Sequence, residues 1–372
     1  MNDNSGACRY GKDRPGKVFR RRKTRQIEIG GVAVGGDAPI IVQSMTKTDT
    51  RDRISTIAQI EQMVGVGCEI VRVAVPDTEA AGALKDIKKH IAVPLIADIH
   101  FDFKLALAAL EQGVDGLRIN PGNIGSKRKI QQVVAAAKER SVPIRIGVNA
   151  GSLEKDLLRK FGAASPEAMV ASAVRHVRIL EDLNFNLIKL SLKASDVQRT
   201  LRAYRLMAEK VDYPFHAGIT EAGSLLSGSI KSAAGIALLL HYGLVDTLRV
   251  SLTAPPEEEI RVAYRILSSF GVRSRGLNIV SCPTCGRCEV DLMAIAAAIE
   301  NRLSSIDENI TVAVMGCMVN GPGEAKEADI GIACGRGAGV VFKKGVLLRR
   351  LEEHEIVPEF VAEVHDYLNK RR

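Results

Sequence analysis

Between residues 26 and 270, short runs of β-branched and apolar residues alternate with stretches whose apolar positions recur every three or four residues. The runs are 39–45, 69–75, 93–98, 115–120, 143–149, 187–192, 215–220 and 247–252. The stretches between them, such as Ile54-Ile57-Ile60-Met63-Val64 and Ile260-Ala263-Ile266-Leu267-Phe270, have the spacing that turns one helical face toward a core. Asp49 is placed to cap the first of these, and Pro255-Pro256-Glu257 opens the last. Eight strand–helix units over about 245 residues predict an α/β protein built on a (β/α)₈ TIM-like barrel; a doubly wound sheet would use fewer strands. The longest interval, between the fifth and sixth strands, holds an extra short helix within 151–161.

The pattern changes after Gly271. Strands at 277–281 and 311–315, a helix at 292–303 and a hairpin-like pair at 330–334 and 339–342 predict a small α+β domain of about 95 residues. The expected organisation is a basic arm (1–25), a barrel domain (26–271) and this second domain (277–372).

Composition supports that class and removes others. Hydrophobic residues make up 46% of the 372-residue chain, aromatic residues only 4%, and Trp is absent, a profile that suits α/β more than all-β. Seven cysteines, an odd number with Cys8 and Cys68 far from the rest, do not form a secreted disulfide framework. With no apolar run near the roughly 18 residues of a membrane span, a cytoplasmic location is expected. The formal charge of +9 is concentrated in residues 1–25, where nine basic residues face Asp3 and Asp13. No aromatic stacking platform accompanies Arg20-Arg21-Arg22-Lys23, so this run reads as a solvated arm and no nucleic-acid partner is expected.

Four predicted strands carry an arginine among apolar neighbours: Arg72 in Val-Arg-Val, Arg118 in Leu-Arg-Ile, Arg145 in Ile-Arg-Ile and Arg249 in Leu-Arg-Val. A guanidinium is costly to bury unpaired, but a barrel tolerates it near the carboxyl-terminal mouth, where four converging forks fit a strongly anionic ligand such as a diphosphate. Asp98, His100, Asn120, Asn123, Asn149, Ser191, Lys193, Glu221 and Ser251 fall at the same strand ends. The glycine-rich segments 122–125 and 223–228 add backbone N–H groups suited to phosphate oxygens. Glu221 is the carboxylate best suited to proton transfer or carbocation stabilisation; the bland alternative pairs it with Lys193 or an arginine.

In the second domain, Cys282-Pro283-Thr284-Cys285 precedes a Gly-Pro-rich loop holding Cys317 and Glu324. With Cys288 the first group reads as the Cys-x-x-Cys-x-x-Cys run of iron–sulfur proteins; a zinc ribbon would need a second pair of Cys/His ligands that is not there. Three thiolates leave the fourth iron of a cubane for an exchangeable oxygen ligand such as Glu324, unless Glu324 merely follows a surface turn. Cys334 reads as a buried small hydrophobe.

The segments Gln43-Ser44-Met45-Thr46, Ala97-Asp98-Ile99-His100-Phe101-Asp102, residues 117–125, residues 146–153, Ile219-Thr220-Glu221-Ala222-Gly223, residues 282–287 and Asn320-Gly321-Pro322-Gly323-Glu324-Ala325 resemble the bacterial 4-hydroxy-3-methylbut-2-enyl diphosphate synthases. The resemblance runs in order over residues 20–335. It implies an oxidoreductase of the methylerythritol phosphate route to isoprenoids. Such an enzyme reductively opens and dehydrates 2-C-methyl-D-erythritol 2,4-cyclodiphosphate through a [4Fe-4S] cluster fed by flavodoxin or ferredoxin. Carried over by motif, Cys282, Cys285, Cys317 and Glu324 would hold the cluster. Arg72, Arg118, Arg145, Asn149, Lys193, Arg249 and Ser251 would grip the diphosphate, with Asp98, His100 and Glu221 near the reacting carbons. Cys288 departs from the family pattern, either as a competitor for iron or as a bystander.

The competing classes are a hydratase using an open iron only as a Lewis acid, and a zinc-stabilised nucleic-acid-binding protein. Chain geometry adds one expectation about assembly. An eighth helix of about 14 residues, roughly 21 Å, carries the chain to the face opposite the barrel mouth. The six or so residues before the next strand span at most roughly 20 Å. A head-to-tail homodimer, each second domain covering the partner's barrel mouth, resolves this.

Overall fold

The computed structural model describes residues 20–120, 124–317 and 325–371, together with Gly323. The basic arm up to residue 19, with Cys8, lies outside the described residues, as do Asn123 and Glu324. The chain divides into two compact units, Met1–Arg273 and Ser274–Arg372.

The first unit opens with a two-stranded hairpin, β1 (Ile27–Ile29) and β2 (Val32–Val34). Eight parallel strands follow: β3 (Ile41–Met45), β4 (Ile70–Ala74), β5 (Leu95–Asp98), β6 (Gly116–Ile119), β7 (Ile144–Asn149), β8 (Ile188–Lys193), β9 (His216–Ala217) and β10 (Thr247–Leu248). The sheet runs β8-β7-β6-β5-β4-β3-β10-β9, and a parallel bridge between Leu190 and Phe215 brings its two edges together. The eight-stranded barrel predicted from the alternation is the fold observed.

The nine helices named here are α1 (Arg53–Gly65), α2 (Thr78–His90), α3 (Phe103–Glu111), α4 (Lys127–Glu139), α5 (Lys155–Phe161), α6 (Pro166–Glu181), α7 (Val197–Ala208), α8 (Leu225–His241) and α9 (Pro256–Ser269). Their apolar faces, for example Ile60 and Met63 of α1 and Ile260, Ala263 and Leu267 of α9, join Val71, Val73 and Leu248 from the strands in one core. Burial of each such side chain stabilises the fold by about 1.5–3 kcal/mol. α5 is the extra helix foreseen after the fifth barrel strand.

Two local expectations are corrected, and one element was not foreseen. Asp52, not Asp49, caps α1, accepting from Ser55 N at 3.1 Å; Asp49 is engaged by Arg51 instead. The hairpin β1–β2 was not foreseen. Its Ile27, Ile29 and Val34 pack on Ile41, Ile70 and Ile96 and so close the amino-terminal end of the barrel with apolar side chains. Finally, Arg21 and Arg22 are not solvated. Arg21 Nη2 donates to Asp246 Oδ1 at 2.6 Å, while Arg22 donates to the carbonyls of Val211 and Tyr213 and lies 4.0 Å over the Phe215 ring.

The second unit is a five-stranded sheet in sequence order: β11 (Leu277–Ser281), β12 (Ile310–Met315), β13 (Ile330–Gly335), β14 (Ala338–Lys343) and β15 (Val346–Glu352). The first three strands are parallel and the last three antiparallel. Helices α10 (Leu292–Leu303) and α11 (Ile356–Asn369) pack Ile299, Leu303, Phe360 and Val364 on Val312, Val314, Ile332 and Val341. The predicted hairpin is therefore extended by a third strand and a closing helix. Cys334 is fully buried in this core, as expected of a small hydrophobe.

Candidate active site

Strand alternation decides what faces the barrel axis. Residues two apart share a face, so β8 turns Lys189, Ser191 and Lys193 the same way, and β7 turns Arg145, Gly147 and Asn149. The parallel registers Asp98↔Arg118, Arg118↔Arg145 and Arg145↔Lys189 then line up ionisable groups on four neighbouring strands. Closed below by the hairpin isoleucines, this polar set belongs to the carboxyl-terminal side, where barrel sites form.

Asp98 is the hub. Its Oδ1 accepts from Arg118 Nη1 at 3.0 Å and its Oδ2 stands 3.4 Å from Arg72 Nε. Burial alone would raise its pKa, but the guanidinium groups of Arg72 and Arg118 outweigh that and hold the carboxyl far below its ordinary range. His100 Nε2 is 2.8 Å from Arg118 Nη1 and 3.5 Å from Asp98 Oδ1. Arginine can only donate, so this nitrogen accepts from Arg118, and the longer approach to Asp98 is not a hydrogen bond. Arg118 also requires Gly147, since a Cβ there would lie 2.7 Å from Arg118 Nε.

Arg72, besides Asp98, directs Nε and Nη2 at the Met45 sulfur, a weak acceptor, at 3.2 and 3.0 Å. Burial brings its guanidinium down to about 10. Arg145 is more extreme. It is buried, its Nε and Nη1 have no hydrogen-bond partner among the described residues, and burial with the like charges of Arg72 and Arg118 pushes its pKa well below the ordinary value. Like charges about 5 Å apart repel by about 3 kcal/mol at an effective dielectric near 20, so an anion entering here relieves a standing cost.

Arg249 is held from the other side. Its Nε and Nη2 lie 3.2 and 3.4 Å from the two oxygens of Glu259, in the first turn of α9. Glu259 is 1% exposed and also accepts from Ser44 Oγ at 2.7 Å and Leu252 N at 3.1 Å, with Lys47 Nζ at 3.2 Å. Lys193 is buried, and burial with Arg145 and Arg72 pushes its pKa well below the ordinary value. Asn149 and Ser251 are half-buried, Asn149 paired in register with Lys193.

Glu221 is exposed and, among the described residues, forms no ion pair with Lys193 or an arginine, so the pairing alternative is not seen. Its φ of +52° places it in the left-handed region, which a non-glycine residue occupies at a cost and which recurs at functional sites. Sequence reasoning missed Glu259, Lys189 and His216. Glu259 lies on the buried face of α9 with Ile260 and Ala263, and Lys189 shares the face of Lys193, so periodicity marks both.

In the second unit, parallel pairing of β11 with β12 sets the loops after both strands side by side. Cys282 follows the first and Gly316-Cys317 the second. Gly316 N donates to Cys282 Sγ at 3.3 Å, and a Cβ on Gly316 would sit 2.6 Å from Cys288 Sγ and 3.5 Å from Cys282 Sγ. The turn is closed by Cys288 N donating to Cys285 O at 2.9 Å, with Thr284 at φ +62°. Cys285 is exposed and Cys282, Cys288 and Cys317 are half-buried. Among the described residues no three ligating side chains already stand close enough to hold a metal ion. The donor chemistry nevertheless fits iron–sulfur ligation: thiols on adjoining loops, one already accepting a backbone N–H as cluster sulfurs do.

A (β/α)₈ barrel with a cationic, carboxylate-braced interior, followed by a small domain presenting thiols at parallel strand ends, defines a class of two-domain enzymes acting on an anionic substrate. Residues 24–264 match the GcpE TIM-barrel domain and residues 278–366 the GcpE protein C-terminal domain; the chain belongs to the GcpE family. It is 58% identical to a 4-hydroxy-3-methylbut-2-en-1-yl diphosphate synthase (flavodoxin) of Geobacter sulfurreducens, over 94% of this chain and 99% of that protein. Proteins of the same name from Maridesulfovibrio salexigens and Thermodesulfovibrio yellowstonii are also 58% identical, over 95% and 93% of this chain and 99% of each relative. No helix among the described residues is long and apolar enough to cross a membrane.

Proposed function

We propose that this chain is a 4-hydroxy-3-methylbut-2-enyl diphosphate synthase. It takes 2-C-methyl-D-erythritol 2,4-cyclodiphosphate, two electrons and two protons, breaks one carbon–oxygen bond to phosphate, and releases one hydroxyl as water. The observation that carries this reading is Arg145, a buried guanidinium with unpartnered N–H groups inside a basin of like charge. Such an arrangement is intelligible only as half of an ion pair whose other half is the ligand.

Arg72, Arg118, Arg145, Asn149, Lys193, Arg249 and Ser251 bind the diphosphate. Asp98, held ionised by its guanidinium neighbours, fixes Arg72 and Arg118, and His100, accepting from Arg118, stands beside them. Glu221, free of ion pairs among the described residues, is available to move a proton at the reacting carbons. Cys282, Cys285 and Cys317, with Glu324, hold a [4Fe-4S] cluster, which supplies single electrons and a Lewis-acidic iron. Flavodoxin is the electron donor, the role that the relatives' names carry. The enzyme works as a head-to-tail homodimer.

Anaerobically purified protein, brown and carrying iron and acid-labile sulfide, is expected to turn over the cyclic diphosphate with reduced flavodoxin. A colourless zinc protein, or dehydration without any donor, would overturn this reading. For the dimer, Arg118→Leu chains mixed with Cys317→Ser chains should regain activity that neither has alone. Verified mixed dimers that stay inactive would place both halves of each site in one chain.

A further inference from the structure

Beneath the arginines the barrel interior stays polar where apolar filling is the rule. Lys189 is 1% exposed and level with Arg145 in the register of β7 and β8. Its Nζ reaches Gln43 Oε1 at 3.4 Å, a long bond for a buried ammonium. His216 is wholly buried beside it, with Nδ1 2.8 Å from Thr247 Oγ1 and Nε2 without a partner among the described residues; Gln43 Nε2 is likewise unpartnered.

Charge balance decides which of these groups carries a proton. The charged or titratable neighbours, strand by strand, are Arg72 on β4, Asp98 on β5, Arg118 on β6, Arg145 on β7, Lys193 on β8, His216 on β9, Asp246 and Arg249 around β10, and Glu259 on α9. Asp246 is already engaged by Arg21 and by Phe215 N. The four arginines keep their protons, so they outnumber Asp98 and Glu259 before any lysine is counted. Lysine and histidine are the groups able to yield. Burial, then Arg145 and Arg72, pushes Lys189 well below its ordinary value, and burial, then Lys193 and Arg145, does the same to His216.

The geometry points to Lys189 as a positioning residue that stays neutral until the cyclic diphosphate binds and then takes a proton from solvent, so that substrate binding and proton uptake are one event. This rests on the substrate proposed above. Each phosphorus of the cyclic diphosphate carries one ionised oxygen and no further group that titrates near neutrality, so a proton taken up goes to the protein. The dianion offsets Arg145 and Arg72, and an ammonium forms behind them at lower cost. Lys193, four residues nearer the mouth on the same face, is placed to touch phosphate; Lys189 acts through Arg145.

The test is calorimetric titration of anaerobic, cluster-loaded enzyme, without reductant, with the cyclic diphosphate at pH 8 in Hepes and in Tris. The dependence of heat on buffer ionisation enthalpy gives the protons exchanged. Wild type should take up about one proton or more per site, Lys189→Met about one fewer while still binding, and wild-type Kd should weaken up to about tenfold per pH unit above neutrality. Equal uptake in the two proteins overturns the inference. If Lys189→Met does not fold, wild type decides alone: no uptake and a Kd flat from about pH 7 to 9 overturns it equally. A wild-type enzyme that does not bind the cyclic diphosphate would instead remove the proposed substrate, a distinguishable result.

Discussion

The barrel basin is built from side chains within parallel strands and the cysteine loops follow the carboxyl ends of β11 and β12, and the two stand in opposite states of readiness. In the basin Asp98, Arg72, Arg118 and Arg249–Glu259 already interlock, and the ligand's role is to complete a charge balance. In the loops the thiols are exposed or half-buried, and no ligand set is gathered among the described residues. On the proposed function, the anion site is preorganised at the cost of crowded like charge, whereas a cluster would bring its own ligand set together. Strength in the first therefore depends on single side chains and in the second on the whole set.

The largest effect should come from breaking that set. Cys317→Ser is expected to lose iron and the visible absorption of the cluster, and to lower turnover by on the order of a thousandfold or more, since electron entry and the open iron go together. Affinity for the cyclic diphosphate should fall far less, because the basin is intact. If binding in the barrel collapsed with the cluster, the contrast between the two regions would be broken.

Next comes a single basin residue. Arg249→Leu removes a charge-assisted contact worth about 1.5–3 kcal/mol, or roughly ten- to a hundredfold in affinity. Glu259 keeps Ser44, Leu252 N and Lys47, so the fold should survive the loss. Iron content should not change. Unaltered binding in a folded Arg249→Leu protein would remove Arg249 from the site.

These two regions also differed in how far the sequence revealed them. Period-two alternation exposed the four strand arginines and the eight-stranded barrel, because inward positions repeat every second residue. The same logic marked Lys189, but a lysine among Ile-Lys-Leu-Ser passes for an ordinary edge residue until burial is known. Glu259 was hidden by its run of three glutamates, which reads as a helix start at the surface; only the helical register shows that one of the three turns inward. His216 gave no signal, since β9 is two residues long and its alternation cannot be read. The hairpin plug and the anchoring of Arg21 and Arg22 were missed for a common reason: both depend on partners some 180 or more residues away or on the closed end of a barrel, which local pattern does not contain.

A smaller effect should distinguish the units by their dynamics. Removing the cluster by anaerobic chelation should raise amide hydrogen exchange in the loops after β11 and β12 while leaving β4 to β8 protected, because the barrel strands are held by their own apolar core and contain none of the proposed cluster ligands. Equal loss of protection in both units would show that the barrel also depends on the cluster for its stability.

The smallest expected effect concerns which thiols belong to the proposed ligand set. Cys288 lies close to the path of the Cys317 loop: its sulfur stands 2.6 Å from where a Gly316 Cβ would be, and it donates to Val290 O at 3.3 Å. That contact belongs to the turn itself, and a hydroxyl can make it equally well. A carboxylate such as Glu324 exchanges for a substrate oxygen more readily than a thiolate does, and chemistry at an open iron needs that exchange. Cys288→Ser should thus keep cluster content and change turnover by no more than about twofold, the range of a mildly perturbing substitution. Glu324→Ala, compared in the same assay, should lower turnover severely. The reverse pattern, iron lost in Cys288→Ser and activity kept in Glu324→Ala, would make Cys288 a ligand in place of Glu324.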